Sequence, residues 1–526
     1  MTDADSKPKT IELFDTSLRD GSQAESISFS LEDKLEIAKR LDDLKFDFIE
    51  GGWPGSNPKD VAFFQAAKDI KFKHAKLTAF GSTRHHSNAP EKDPNLVKLV
   101  ESQTPAIIIF GKSWDFHVDN ALRVDLKTNL DMIESSLRYL KPNCEILMYD
   151  AEHFFDGFKK NPDYALKTLD SAVKGGAVRL VLCDTNGGGL PDEIYDTVCA
   201  VRKRFDGVKI GIHCHNDAGV AVANSMAAID AGCVHAQGTI NGFGERCGNV
   251  DLTTLIANLA LKKGFEFPEK LVHGLTTLSR FMYEIANLPP RINQPFVGQS
   301  AFAHKGGIHV SAVVRNPDTY EHVKPEAIGN ERRFLISELS GRSNLLAELG
   351  NRFDLTDKDK QRQIMETLME RENLGYSYEA ALASFEILVM KVLGTHRGFF
   401  QLEGFRVINE LGKAGEIVEA TIKVNVDGKR EHTAADGNGP INALDKALRK
   451  ALIQFYPELN EVSLTDFKVR VINAKDATEA RVLVQISSTD GKKRWTTVGA
   501  SENIIEASWL ALVDSIEYKL LNSRIK

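Results

Sequence analysis

The sequence predicts an α/β chain: a (β/α)8 TIM barrel, a helical linker region, and a C-terminal α+β domain built from a tandem repeat. Three observations predict it. Eight strand-like apolar runs alternate with helix-like amphipathic stretches between residues 10 and 262. Polar clusters close several of those runs. Near the C-terminus a segment of roughly 60 residues recurs.

The strand candidates are residues 11–18, 46–51, 76–81, 106–111, 145–149, 179–184, 208–215 and 234–240. They are near-continuous apolar runs, as expected of strands buried on both faces, and helical stretches such as 31–44 and 192–204 lie between them. Parallel βα units in this number close into a barrel, whose active site is built at the C-terminal strand ends. The polar clusters fall at such ends; an open sheet would gather them at one crevice instead. Beyond residue 263, Pro289-Pro290 breaks the chain and helical patterns dominate, notably 359–372 and 377–393. Residues 419–428 and 479–491 then each read as an alternating strand ending in an Asp-Gly turn. A second strand, a small-residue loop (436–440; 499–502) and an amphipathic helix follow each. The expected domains are 1–275, 276–395 and 396–526.

A chain of 526 residues exceeds one ordinary domain. A net charge of -7 without Lys/Arg-rich runs argues against nucleic acid as a partner. No apolar run approaches the ~20 residues that span a bilayer. The start, MTDADSKPKT, reads as neither secretory nor transit peptide. Six cysteines without Cys-x-x-Cys spacing read as buried free thiols in a reducing compartment, hence a cytoplasmic protein.

Four polar runs carry the chemistry. Phe14-Asp15-Thr16-Ser17-Leu18-Arg19-Asp20-Gly21 closes the first strand and Gly211-Ile212-His213-Cys214-His215-Asn216-Asp217 the seventh. Asn241-Gly242-Phe243-Gly244-Glu245-Arg246-Cys247-Gly248-Asn249 follows the eighth, and His304-Lys305-Gly306-Gly307-Ile308-His309 lies beyond the barrel. His213 and His215, two apart on a strand, point to the same side, the lumen, and send Cys214 outward. A lone His-x-His can be no more than a polar strand end, but this strand is otherwise apolar. Two imidazoles, a carboxylate (Asp20) and an amide oxygen (Asn249) suit a divalent metal, whose identity the ligand types leave open. Asp20 alone would read as a turn cap and Arg19 as its salt-bridge partner. Together with the histidines, Arg19 instead reads as an electrophile for developing negative charge. The glycines around Glu245-Arg246 follow the last strand and lack dinucleotide spacing, so they serve a close loop approach that turns Asn249 inward. Tyr149-Asp150-Ala151-Glu152-His153 offers a general base, and Asp184-Thr185-Asn186-Gly187 a hydroxyl. His304 and His309, flanking two glycines, suggest a mobile loop.

These four runs resemble the signature segments of the acyl-CoA Claisen-condensing barrels, the family of 2-isopropylmalate, homocitrate and citramalate synthases. The resemblance covers essentially the whole chain, and residues 48–60 and 148–158 are most similar to the branch that forms (R)-citramalate. It implies acetyl-CoA and pyruvate as substrates on a threonine-independent route to isoleucine. It also implies a divalent metal (Mn, Mg, Zn or Co) on Asp20, His213, His215 and Asn249. Arg19 would stabilise the alkoxide, and Thr185, with Tyr149, would contact substrate. Glu152 would take the methyl proton, with His309 and Tyr320 supplied by the partner of a homodimer. Residues 396–526 would be an allosteric and dimerising domain binding isoleucine. The bulky Trp53, Phe80, Phe110 and Tyr149 favour pyruvate over 2-oxoisovalerate or 2-oxoglutarate. A retro-Claisen lyase would lack the repeated domain, and a biotin-dependent carboxyltransferase would want a lysine where Cys183-Asp184-Thr185 stands. A dead barrel acting as an amino-acid sensor would have lost its metal ligands.

Overall fold

The structure, a computed structural model, describes residues 9–335, 345–346, 349–350, 352–412, 415–472 and 480–524. The N-terminal residues 1–8 and Glu479, the expected start of the second repeat strand, lie outside them. The chain divides into two compact units, Met1–Phe302 with Val323–Glu331, and Ala303–His322 with Arg332–Lys526.

In the first unit eight parallel strands close a barrel in sequence order: β1 (Glu12–Asp15), β2 (Phe48–Gly52), β3 (Lys76–Ser82), β4 (Ala106–Lys112), β5 (Ile146–Glu152), β6 (Arg179–Asp184), β7 (Lys209–Cys214) and β8 (His235–Gly238). Helices α1 (Leu31–Asp43), α2 (Pro58–Ala67), α3 (Pro94–Glu101), α4 (Leu126–Leu140), α5 (Pro162–Gly175), α6 (Pro191–Arg204), α7 (Ala221–Asp230) and α8 (Leu252–Lys263) follow the strands in turn. Local chemistry sets their starts. Ser30 and Asp33 form a capping box on α1, and Asn57 caps α2 ahead of Pro58.

Period-two alternation divides every strand between two cores. Outward residues such as Ile49, Ile109, Tyr149, Leu182 and Ile212 pack against the helices. Inward residues Phe14, Phe48, Phe80, Ile108, Met148, Val181 and Cys183 fill the lumen. At the N-terminal end of the barrel Glu12 gathers Arg179 (Nε–Oε2 2.7 Å), Lys209 (2.5 Å) and His235 (3.3 Å), which ties β1, β6, β7 and β8 together. The lumen is therefore plugged below and open only where the loops after the strands lie. A further helix, α9 (Leu275–Ile285), packs on the barrel core and ends ahead of Pro289-Pro290, as the breaker predicts.

In the second unit, β9 (Ala303–His304) pairs in parallel with β10 (Arg333–Phe334). Residues 307–315 form helix α10 (Gly307–Arg315), so the expected loop between His304 and His309 is replaced by a helix start. Gly307 opens that helix, and a glycine pair at a helix entrance reads in sequence much like a linker. Helices α11 (Lys358–Asn373) and α12 (Leu382–Leu393) match the linker patterns, α12 starting later than its periodicity because Ala381 is not helical.

The repeat is larger than the sequence predicts. One sheet runs β11 (Gln401–Gly412), β12 (Gly415–Val426), β13 (Lys429–Asp436), and the other β14 (Ser463–Val471), β15 (Val482–Thr489), β16 (Arg494–Ser501). Helix α13 (Pro440–Leu452) follows the first and α14 (Ile504–Arg524) the second. Each copy is thus three strands and a helix. The leading strand lies at a sheet edge: β14 alternates Phe467, Val469 and Val471 with charged residues, yet those apolar side chains are exposed rather than part of the core. The Asp427-Gly428 turn has φ of 49° and 83°, both positive, as a two-residue hairpin of this kind requires.

The lumen core tests the fold. Phe48 is 3% exposed, stacks on Phe14 at 5.9 Å and meets the edge of His235 at 5.6 Å. Phe48→Ala should destabilise the first unit by ~3–5 kcal/mol, read as an earlier first transition in urea. An unshifted transition would show that the lumen does not support the barrel.

Candidate functional site

Chain closure creates the site. Thr16 N–H donates to Gly238 O (2.9 Å), and Ile240 N–H donates to Ser17 Oγ (2.9 Å), so the segments leaving β1 and β8 are bound together. Asp15 accepts from the Ser17 N–H and hydroxyl, which fixes the turn leading to Asp20. Asp20, 3% exposed, then faces the histidines of β7.

The Asp20 Oδ2 atom lies 3.3 Å from His213 Nε2 and 3.9 Å from His215 Nε2, and the two Nε2 atoms are 3.4 Å apart. Their ligand atoms all fall within 4.8 Å of one another, close enough to share one cation. Cys214 points outward into the strand–helix core, as the alternation requires. Asn249 sits beside His215 through an antiparallel bridge. Its Nδ2 donates to Phe243 O (3.3 Å), while its buried Oδ1 has no partner among the described residues. An orphaned amide oxygen on the residue bridged to His215 fits a divalent cation's need for a further oxygen. The glycines allow this approach. A Cβ on Gly244 (φ 149°) would stand 2.2 Å from Asn249 Nδ2, and one on Gly248 (φ 86°) 1.9 Å from Gly242 O.

Electrostatics follow the packing. Burial pushes the Asp20 carboxyl up, but the Arg19 guanidinium and the two histidines outweigh it and hold it well below the carboxylate range. Burial lowers His213, yet its bond to Asp20 lifts it above an ordinary imidazole. Burial and the neighbouring His213 bring His215 down to about 4. Arg19 lies over the Phe80 ring at 3.8 Å, with its Nε on Glu50 (2.7 Å) and Nη1 on Asp20 (3.4 Å). It is more than the salt-bridge partner of Asp20: Glu50 anchors it and leaves the rest of the guanidinium facing the pocket.

That pocket, about 220 Å3, is lined by the aromatic Trp53, Phe80 and Phe110 and by the polar Arg19, Asp20, Asp150, Glu152, Thr185, His213 and His215. The aromatic wall interlocks, with Phe80 and Phe110 stacked at 5.5 Å and Trp53 edge-on to both. Glu152 is ion-paired with Lys112. Thr185 Oγ1 accepts from the His153 N–H (2.8 Å), which leaves its own proton free to turn to the pocket. Arg246 bonds mainly Asp217 (2.8 and 3.0 Å) and Thr185 O (2.7 Å), joining three loops, and reaches Glu245 only at 3.7 Å.

Tyr149 corrects the sequence reading. It is fully buried against the helices, 3.4 Å from Ser113 Oγ, and does not line the pocket. Alternation on β5 gives the inward places to Met148, Asp150 and Glu152, so a substrate contact by Tyr149 does not arise. Asp150 stands there instead, and burial pushes its carboxyl up to about 7. Glu50, Gln237 and Cys183 were also missed as site residues. The signal was available for Gln237, which is two places beyond His235 on a strand paired with β7, but it needed the register. Thiol burial was overestimated: Cys183, Cys214 and Cys233 are buried, while Cys199 and Cys247 are exposed. In the second unit His304 is held by Glu321 (3.2 Å). His309 stacks on Tyr320 at 4.2 Å, and Tyr320 is 47% exposed.

Residues 10–284 match the HMGL-like family, residues 296–372 the homocitrate synthase post-HMGL domain-like family, and residues 379–520 the LeuA allosteric (dimerisation) domain. The chain is 54% identical to the (R)-citramalate synthase of Geobacter sulfurreducens, covering 98% of each. It is 52% identical to the (R)-citramalate synthase of Aquifex aeolicus over 97% of each. The 2-isopropylmalate synthase of Dictyoglomus turgidum is 28% identical over 96% of this chain and 97% of that protein.

The Glu50 anchor can be tested by stability. Glu50→Leu would leave the Arg19 charge buried without its nearest carboxylate. The expected loss is ~3–5 kcal/mol, measured by urea unfolding. An unchanged midpoint would mean that Asp20 alone suffices to hold Arg19.

Proposed function

The chain belongs to the (R)-citramalate synthase family, and from that membership we propose that it condenses acetyl-CoA with pyruvate and water to give (R)-citramalate and CoA. The observation that carries this reading is the pocket itself. It brings a buried carboxylate–imidazole cluster, two further carboxylates and an anchored Arg together with a tight aromatic wall of Trp53, Phe80 and Phe110. A 2-oxo acid with a small apolar tail fits such a space.

In this reading Asp20, His213, His215 and Asn249 hold a divalent cation, with Mn, Mg, Zn and Co as candidates. When bound, it would supply a Lewis acid and template for the carboxylate and keto oxygens of pyruvate. The Thr185 hydroxyl donates to the substrate carboxylate. Glu152 takes the proton from the acetyl methyl group, and the ion pair with Lys112 holds its carboxylate in place. The enolate carbon attacks the keto carbon, and the charge that appears on the keto oxygen is met by Arg19, already fixed by Glu50. His309 and Tyr320 are assigned to proton transfer, supplied by the second copy in a homodimer. Hydrolysis of the citramalyl thioester then releases CoA. No nucleophilic side chain is needed.

Residues 1–275 are assigned to catalysis, 276–395 to linkage, and 396–526 to dimerisation and inhibition by isoleucine. Support comes from the match to an allosteric (dimerisation) domain and from the two repeats, whose helices α13 and α14 start at the small-residue loops. Isoleucine control would place the enzyme on a threonine-independent route to that amino acid. A cytoplasmic location is part of the proposal: six free thiols suit a reducing compartment, and among the described residues no helix is long and apolar enough to cross a membrane.

CoA release from acetyl-CoA, followed with a thiol reagent across a panel of 2-oxo acids, tests the reaction. The expected order places kcat/KM for pyruvate above that for 2-oxoisovalerate; the reverse would assign isopropylmalate formation. Chelation should abolish turnover and added divalent metal restore it, so full turnover in chelator rules out the cation. Glu152→Gln should lower kcat by ~10²–10⁴. A chain ending at residue 395 should lose calorimetric binding of isoleucine, and retained binding would displace the effector from the repeats.

A further inference from the structure

One inward side chain of β8 has no part in the scheme above. Gln237 is 1% exposed and pairs in register with His213 across β7 and β8. Its Oε1 lies 2.9 Å from His213 Nδ1, and its Nε2 donates to Asp150 Oδ1 at 3.2 Å. Three strands are therefore linked in one line across the lumen, from Asp150 on β5 through Gln237 on β8 to His213 on β7.

The chemistry of the amide gives this line a direction. The NH2 end of Gln237 faces Asp150, and a carboxyl oxygen accepts from it whether the group is ionised or, through its C=O, in the acid form. The opposite end is then the carbonyl oxygen, which can only accept. His213 must accordingly keep its proton on Nδ1, and Nε2 is the nitrogen left facing Asp20 and His215. A glutamine cannot take that proton, and its orientation is not its own choice, because Asp150 sets it. Imidazole ligands to metals commonly donate their other N–H to a second group, which fixes the tautomer and the ring plane.

We propose that Gln237, oriented by Asp150, is the positioning residue that locks the Nδ1–H tautomer of His213 and so presents Nε2 to the cation shared with Asp20 and His215. The inference rests on the reading that these residues bind a divalent cation. His215 lacks such support: its buried Nδ1 has no partner among the described residues. The site is thus asymmetric, with one imidazole held from behind and the other held by its strand and by Asn249 alongside.

The test measures metal binding rather than turnover. Mn2+ is titrated into the full-length, chelator-treated protein and free Mn2+ is read by electron paramagnetic resonance. Wild type should bind one Mn2+ per chain, and His215→Ala should lose that binding. Gln237→Met, similar in size but without an acceptor, should bind about 10–100-fold more weakly. Gln237→Glu, which restores an acceptor for the Nδ1–H, should recover most of the affinity. Circular dichroism of the metal-free proteins checks that the variants fold. If Gln237→Met does not, Gln237→Asn, whose acceptor is withdrawn by one methylene, takes its place and should also bind weakly. Wild-type affinity in the folded Met or Asn variant overturns the role of Gln237, as does a Glu variant no better than Met. Absence of His215-dependent Mn2+ binding in wild type would instead bring down the metal site itself, a separate failure.

Discussion

Pairing of β1 with β8 is the constraint on which the site depends. The two strands are 223 positions apart at the Ser17–Ile240 bond, yet their register sets Phe14 opposite Gln237 and Asp15 opposite Gly238. That contact carries Asp20, which follows β1, to the mouth where β7 delivers His213 and His215. It also fixes where the loop after β8 must turn back to place Asn249 beside His215. Closure is secured at both ends: by the Glu12 cluster below and by the Ser17 hydroxyl above. Between them the apolar lumen core excludes water, which makes each charge at the mouth count for more.

The second organising element is the arrangement of charge. Arg19 is placed between Glu50 and Asp20 and over the face of Phe80, a nearly buried cation that also lines the pocket. A preorganised cation of this kind needs no rearrangement when negative charge develops on a substrate oxygen. The carboxylates divide by environment. Asp20, beside Arg19 and the histidines, is held ionised, whereas Asp150, deeper and facing an amide, is held far closer to neutrality. Glu152 has Lys112 at hand. Three acids at the mouth, one following β1 and two on β5, can thus serve different purposes.

Much of this was legible in one dimension. Apolar runs of strand length, helical patterns between them and polar residues at the run ends specify a barrel, because only parallel strands buried on both faces read that way. The His213–Cys214–His215 alternation assigned two imidazoles to the lumen and one thiol to the outer layer, and the structure agrees. The repeat was legible through its Asp-Gly turns and helices. Its leading strands, β11 and β14, were not, although β14 alternates Phe467, Val469 and Val471 with charged residues, because the Asp-Gly turn that marks each repeat lies beyond them.

What the sequence determined by itself was the inventory: eight strands, the polar segments that end them, and the residue types able to bind a metal or move a proton. Those are local properties, set by periodicity and side-chain chemistry. What only the tertiary structure decided was which side chain faces which. On β5 the frame is set by one residue: Asp150 and Glu152 face inward and Tyr149 outward, although a tyrosine at a strand end reads just as well as a pocket residue. Glu50 and Gln237 gave no motif to find, because their partners, Arg19 and His213, are joined to them through register between strands rather than along the chain. Register is fixed by closure of the whole barrel, a long-range condition that no short segment of sequence contains.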